Sequence, residues 1–282
     1  MPQFKQVTIV GLGLIGGSLG MAIRRRRLAD RVVGVSRSKT TLRRAKRRGA
    51  VDAGTTDLEQ AVRGADLVVL ATPVDVIVPY AKRLARRMRP GSILTDVGNT
   101  KAAIVEALDR ALPCAVAFVG GHPIAGSEER GFDAACAELF TGSACVLTPT
   151  RATDRRALRR VASFWQPLVG CVVTMSPRRH DELLASTSHL AHLVAFSLAH
   201  SLDNRSLPFV PPSFLEMTRV AKSTPDLWDD ILLSNRSAVL AAAGRFTRQW
   251  RALRAILSRR DRRALRRFLT EAKSSRDALP HS

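Results

Sequence analysis

Val7-Thr8-Ile9-Val10 runs directly into Gly11-Leu12-Gly13-Leu14-Ile15-Gly16-Gly17-Ser18, and no other stretch constrains the fold as strongly. A β-branched run, a G-x-G-x-x-G turn and a helical pattern over residues 16–26 together form the opening of a dinucleotide-binding unit. The first glycine permits the tight turn, the second lets the backbone approach a pyrophosphate, and the third allows close packing of helix on strand. Cofactor contacts are therefore expected at Gly11, Leu12, Gly13, Leu14, Ile15 and Gly16, with helix-terminal amides facing the phosphates.

A second strand is expected over 31–35. Its end usually carries an acidic residue when NAD is preferred, because a carboxylate binds the ribose 2′-hydroxyl. Here Ser36, Arg37, Ser38 and Lys39 occupy that place, two hydroxyls and two cations suited to a 2′-phosphate. The reading is NADP over NAD, the alternative being that Arg37 and Lys39 belong to a general arginine excess. Strand and helix then alternate: helices over 40–48, 58–63 and 79–88, and strands over 66–71, 92–96 and 115–119. Thr72-Pro73 ends one of these strands, where open α/β sheets bind ligands. A helix over 131–138, strands over 144–148 and 171–175 and a basic helix over 155–165 follow. Continuous apolar strands separated by helices indicate a Rossmann-type, doubly wound parallel sheet. Strand signals stop near Arg178, and helices are expected over 180–202, 213–222, 225–243 and 245–276. The expected division is a dinucleotide-binding domain over 1–176 and an all-helical domain over 177–282.

The chain has 45 Lys+Arg against 24 Asp+Glu, a formal charge of +21 that favours polyanions. The basic residues fall at helical spacing in separate segments, and with 5% aromatic residues no stacking platform is evident. Solvated arginine-rich helix faces are preferred to a nucleic-acid surface. No apolar run approaches a membrane span. A strand from about Val7 leaves no room for a leader peptide, so a cytoplasmic protein is expected. Cys114, Cys136, Cys145 and Cys171 form no C-x-x-C pair or His/Cys cluster, so neither disulfides nor a metal site are expected.

The polar residues at the strand ends carry the chemistry. Gly120-Gly121-His122-Pro123-Ile124-Ala125-Gly126 follows the strand over 115–119. His122 is placed on a turn, with Pro123 restricting its backbone toward extended geometry. An imidazole there suits proton transfer at neutral pH, although a loop histidine bonded to a neighbouring carbonyl has the same sequence. Asn99 lies on the turn after the preceding strand. His189 and His192, three apart on a helix, share one face. Arg219, on the next helix, suits bidentate binding of a carboxylate.

Together these segments resemble the prephenate/arogenate dehydrogenase family of tyrosine biosynthesis. The likeness rests on Gly11 to Ser18, Thr95-Asp96-Val97-Gly98-Asn99-Thr100-Lys101, Gly120 to Glu128, Ser188-His189-Leu190-Ala191-His192, and Thr218 to Ser223 with Trp228. The resemblance implies oxidative decarboxylation of prephenate with hydride transfer to NAD(P), and aromatisation as driving force. Arogenate, alone or beside prephenate, is the alternative substrate. His122 would accept the substrate hydroxyl proton, with Asn99 near it. His192, Arg219, His189, Glu128 and Glu216 would hold substrate, Glu216 being suited to the ammonium of arogenate. The helical domain would form a homodimer. Asn99 replaces the family's usual serine, and Ala191 a proline. A β-hydroxyacid dehydrogenase would place a lysine on the helix that here carries His189 and His192. A non-enzymatic polyanion binder is the remaining alternative.

Overall fold

The first six strands join in one parallel sheet in a computed structural model of the chain, which describes residues 2–126 and 129–279. Strands β1 (Phe4–Val10), β2 (Ala29–Val35), β3 (Ala53–Thr55), β4 (Leu67–Leu70), β5 (Ile93–Asp96) and β6 (Ala117–Val119) lie in the order β3-β2-β1-β4-β5-β6. Helices α1 (Leu14–Arg25), α2 (Lys39–Arg47), α3 (Leu58–Val62), α4 (Val74–Ala85) and α5 (Ala102–Asp109) make the crossovers. Side chains alternate across the strands, so one sheet feeds two cores. Ile9, Leu67 and Val69 pack with Leu19 and Ile23 of α1, whereas Val10, Val68 and Leu70 pack with Ile77, Leu84 and Leu108. The order reverses between β1 and β4, which opens a crevice at their C-terminal ends.

The later strands do not extend this sheet. β7 (Gly121–Pro123), β8 (Ala144–Leu147) and β9 (Cys171–Thr174) form a separate three-stranded sheet, β7 antiparallel to β8 and β8 parallel to β9. His122 therefore stands in a short strand paired with Val146, not on a free turn. Between β8 and β9, α6 (Arg155–Trp165) buries Ala157, Val161, Phe164 and Trp165, while Arg155, Arg156 and Arg159 are exposed and Arg160 lies over the Phe4 ring.

Other expectations are corrected. Residues 131–138 form turns rather than a helix. The Arg48 guanidinium takes the carbonyls of Phe132, Asp133 and Ala135 that helical amides would otherwise use. Helix α4 starts at Val74, not Pro79, and carries that proline inside it. Strand β3 and helix α5 were not anticipated. The expected helix over 180–202 is α7 (Pro177–Leu184), a π-helical turn over Ala185–His189, and α8 (Leu190–His200). Next come α9 (Pro212–Thr218), a 3₁₀ turn over Arg219–Lys222, and α10 (Pro225–Ser234). Contacts divide the chain into two compact units, Met1–Asn235 and Arg236–Ser282. The second unit holds α11 (Arg236–Ser258) and α12 (Arg262–Asp277); the chain does not break at Gly244 as expected but at Asn235 and at Arg259–Asp261, where Arg260 has φ 54°. Among the described residues no helix is long and apolar enough to cross a membrane.

Two glycine substitutions separate backbone packing from open space. A Cβ on Gly16 would stand 1.9 Å from the Gly11 carbonyl oxygen, whereas one on Gly13 would meet nothing within 4 Å. Chemical denaturation should show Gly16→Ala losing about 3 kcal/mol and Gly13→Ala staying within about 1 kcal/mol of the parent.

Candidate active site

The crevice between β1 and β4 is built by backbone. Gly11 has φ +98°, and a Cβ there would lie 2.3 Å from the Ala71 carbonyl oxygen and 3.3 Å from Thr72 Cγ2. Helix α1 opens with Gly13 at its N-cap and no side chain capping it, so its first amides remain available. Thr72 Oγ1 is buried beside Gly11 with no hydrogen-bond partner among the described residues. Open space over Gly13, uncapped amides and an orphaned hydroxyl fit a dinucleotide pyrophosphate. At the end of β2, Ser38 N–H donates to Ser36 Oγ, and Ser38 Oγ accepts from Thr41 N–H to cap α2. Both hydroxyls thus also serve the local turn, while Arg37 and Lys39 are exposed.

His122 is 6% exposed. Its Nδ1 lies 2.8 Å from His180 Nε2, and His180 Nδ1 lies 2.8 Å from Asp181 Oδ1. Ser176 caps α7 and Pro177 starts it, which sets His180 and Asp181 one turn in, both buried. The Asp181 carboxylate in turn accepts the Lys101 amide at 2.8 Å and the Ala102 amide at 2.9 Å. Those are the leading amides of α5, whose own N-cap residue, Lys101, makes no side-chain cap. A residue 80 positions away therefore caps this helix. Burial above all, then the neighbouring His180, Lys101 and His189, hold the His122 imidazole well below the usual histidine range. At neutral pH His122 is an uncharged base.

A second buried ion pair fixes the strand that carries His122. Lys101 Nζ bonds Asp96 Oδ2 and donates to the Gly121 carbonyl at 3.0 Å. Asp96 also accepts from the Gly98 amide at 2.9 Å and the Gly121 amide at 3.1 Å. Lys101 and Asp96 are fully buried, and desolvation lowers the lysine's pKa against the opposing pull of Asp96. The end of β5 and the start of β7 are thereby locked together, one residue before His122.

The helical part supplies the second cluster. The π turn carries His189, whose Nδ1 lies 3.2 Å from Asn235 Nδ2, and Asn235 also donates to the Asp181 carbonyl at 2.8 Å. Burial pushes His189 down to about 4. His192 Nδ1 donates to the Ser188 carbonyl at 3.1 Å, and its ring stacks on Trp228 with centroids 3.6 Å apart. Burial lowers the His192 pKa, and the nearby Arg219 guanidinium lowers it further. His189 touches the same indole edge-on, so the two histidines do share one face. Arg219 and Glu216 are exposed on α9 and the turn after it, Asn99 is half-buried after β5, and Glu128 lies outside the described residues.

A family model described as the prephenate dehydrogenase nucleotide-binding domain matches residues 19–174, and one described as the prephenate dehydrogenase dimerization domain matches residues 176–271. The chain belongs to the prephenate dehydrogenase family. It is 34% identical to a prephenate dehydrogenase of Bacillus subtilis, over 99% of this chain and 78% of that one. It is equally 34% identical to a cyclohexadienyl dehydrogenase of Zymomonas mobilis, over 99% and 97%. The prephenate dehydrogenase of Aquifex aeolicus, solved with hydroxyphenyl propionate and NAD+, superposes with a TM-score of 0.90 at 33% identity, covering 98% of each chain. As in other members of this oxidoreductase family, the N-terminal domain binds a nicotinamide dinucleotide.

Sequence reasoning missed His180, Asp181 and Asn235 and read Asp96 and Lys101 only as parts of a matching segment. His-Asp just inside a helix that starts Ser-Pro was the available signal. Lys101→Met should strand Asp96 as a buried unpaired carboxylate and cost about 3–5 kcal/mol in denaturant unfolding. The double variant with Asp96→Asn should recover part of that loss.

Proposed function

We propose that the chain oxidatively decarboxylates prephenate to 4-hydroxyphenylpyruvate with NAD(P), His122 being the base. The observation that carries the reading is a buried, uncharged imidazole held by hydrogen bonds in a chain of the prephenate dehydrogenase family. His122 accepts the proton of the ring hydroxyl as hydride leaves the same carbon. The bond to the ring carboxylate breaks, carbon dioxide departs, and its electron pair completes the aromatic ring. The nicotinamide, when bound, supplies the hydride acceptor. Gly11 to Gly16, Thr72 and Pro73 hold the dinucleotide, and Arg37 and Lys39 with Ser36 and Ser38 favour NADP over NAD. Arg219 pairs with the ring carboxylate, and His192, His189, Glu128 and Glu216 complete the substrate site with Asn99 near the reacting hydroxyl. Glu216, exposed one helical turn before Arg219, is the feature that would admit the ammonium of arogenate.

The proposed division falls between residues 176 and 177, supported by the boundary between the two family models. Residues 177–282 form a homodimer in this reading. Its support is the family name of that segment together with exposed apolar side chains such as Leu215, Met217, Phe246 and Trp250. The protein works in the cytoplasm, its charge of +21 spread over solvated helix faces such as α2, which buries only Ala45.

Initial rates with prephenate or arogenate, each with NAD or NADP, test the proposal. Turnover should be fastest with prephenate and NADP, and His122→Asn should lower kcat roughly 10²–10⁴-fold. Folded protein that turns over none of the four combinations would refute the activity, and full activity in His122→Asn would remove His122 from it.

A further inference from the structure

We propose that His180 and Asp181 are positioning residues that fix the tautomer of His122, keeping its Nδ1 protonated and its Nε2 free to take the substrate proton. This deepens the reading above and rests on it.

The assignment follows from which atoms can only donate. The Lys101 and Ala102 amides approach the two oxygens of Asp181, so that carboxylate is filled as an acceptor from one side. The remaining contact, 2.8 Å to His180 Nδ1, requires the hydrogen on the histidine. In neutral His180 the other nitrogen, Nε2, then has a lone pair and no hydrogen. Nε2 lies 2.8 Å from His122 Nδ1, so His122 must donate there. A neutral His122 with hydrogen on Nδ1 presents a lone pair at Nε2. Each link is buried, with His122, His180 and Asp181 at 6%, 0% and 4% exposure, so water does not compete for these contacts.

The arrangement also handles the charge that proton transfer creates. When His122 Nε2 takes the hydroxyl proton, the imidazolium keeps its Nδ1–H on His180. The negative charge of Asp181 lies one ring away, held by the first amides of α5. Proton count is closed within the step: one hydrogen arrives on Nε2, none leaves Nδ1, and the same hydrogen departs from Nε2 when product leaves. The alternative tautomer of His122 would turn a hydrogen toward the substrate hydroxyl and leave no base. A merely structural pair would have no reason to specify which nitrogen of His122 carries hydrogen.

Nitrogen NMR of histidine-labelled protein reads the tautomer directly. Wild-type His122 should be neutral with hydrogen on Nδ1 at pH 7, and hydrogen on Nε2 would overturn the proposal without any variant. In kinetics, His180→Leu should lower kcat about 10²-fold with KM for prephenate and dinucleotide changed less than about threefold. His180→Gln, whose amide oxygen can accept from His122 Nδ1, should recover about tenfold of that loss. Unchanged kcat in His180→Leu beside an active wild type would overturn the relay and leave the activity standing. An inactive wild type would instead remove the activity itself.

Discussion

Asp181 is the point on which the site depends. A single carboxylate caps α5 from 80 residues away and holds the ring of His180. An unsatisfied helix terminus and a buried carboxylate are each costly alone, and here each satisfies the other. The consequence is positional: the helix that follows β5 is tied to the first helix of the all-helical part. His122, on β7, is reached from that junction through one ring.

The second constraint is the Asp96–Lys101 pair, which clamps the chain immediately before His122. Buried ion pairs give little net stability, but breaking one is expensive, and this one bonds backbone in the turn after β5 and on β7. It therefore sets geometry more than it adds energy. Charge in this region is tightly arranged: His180 approaches from α7, Lys101 from the turn before α5, His189 from the π turn and Cys145 from β8, with Asp96 behind Lys101. Burial raises the Cys145 thiol, so it stays protonated and adds no charge.

The nucleotide half was legible because its signals are local. Gly11 to Gly16 after a β-branched run needs no distant partner to be interpreted, and strand and helix alternation followed from it. What stayed hidden depends on long-range contacts. Helix α5 has no capping residue of its own, since Asp181 provides the cap. Residues 131–138 have a helical pattern, but Arg48 takes their carbonyls. Lys101 is polar and lies in a turn sequence, yet it is fully buried because Asp96 and Gly121 surround its ammonium. His122 stood out as a candidate reactive ring, while its partner His180 read only as the start of a helix. A residue that acts through another leaves little trace in spacing.

The central claim is that His122 works as a buried base already neutral at physiological pH. The pH dependence of kcat/KM for prephenate, at saturating dinucleotide, measures this directly. Because burial holds the His122 pKa well below 6.5, kcat/KM should stay level from pH 8 down through 6.5, with its acid limb well below that value. An acid limb centred near 6.5, the value of an ordinary exposed histidine, would contradict the account.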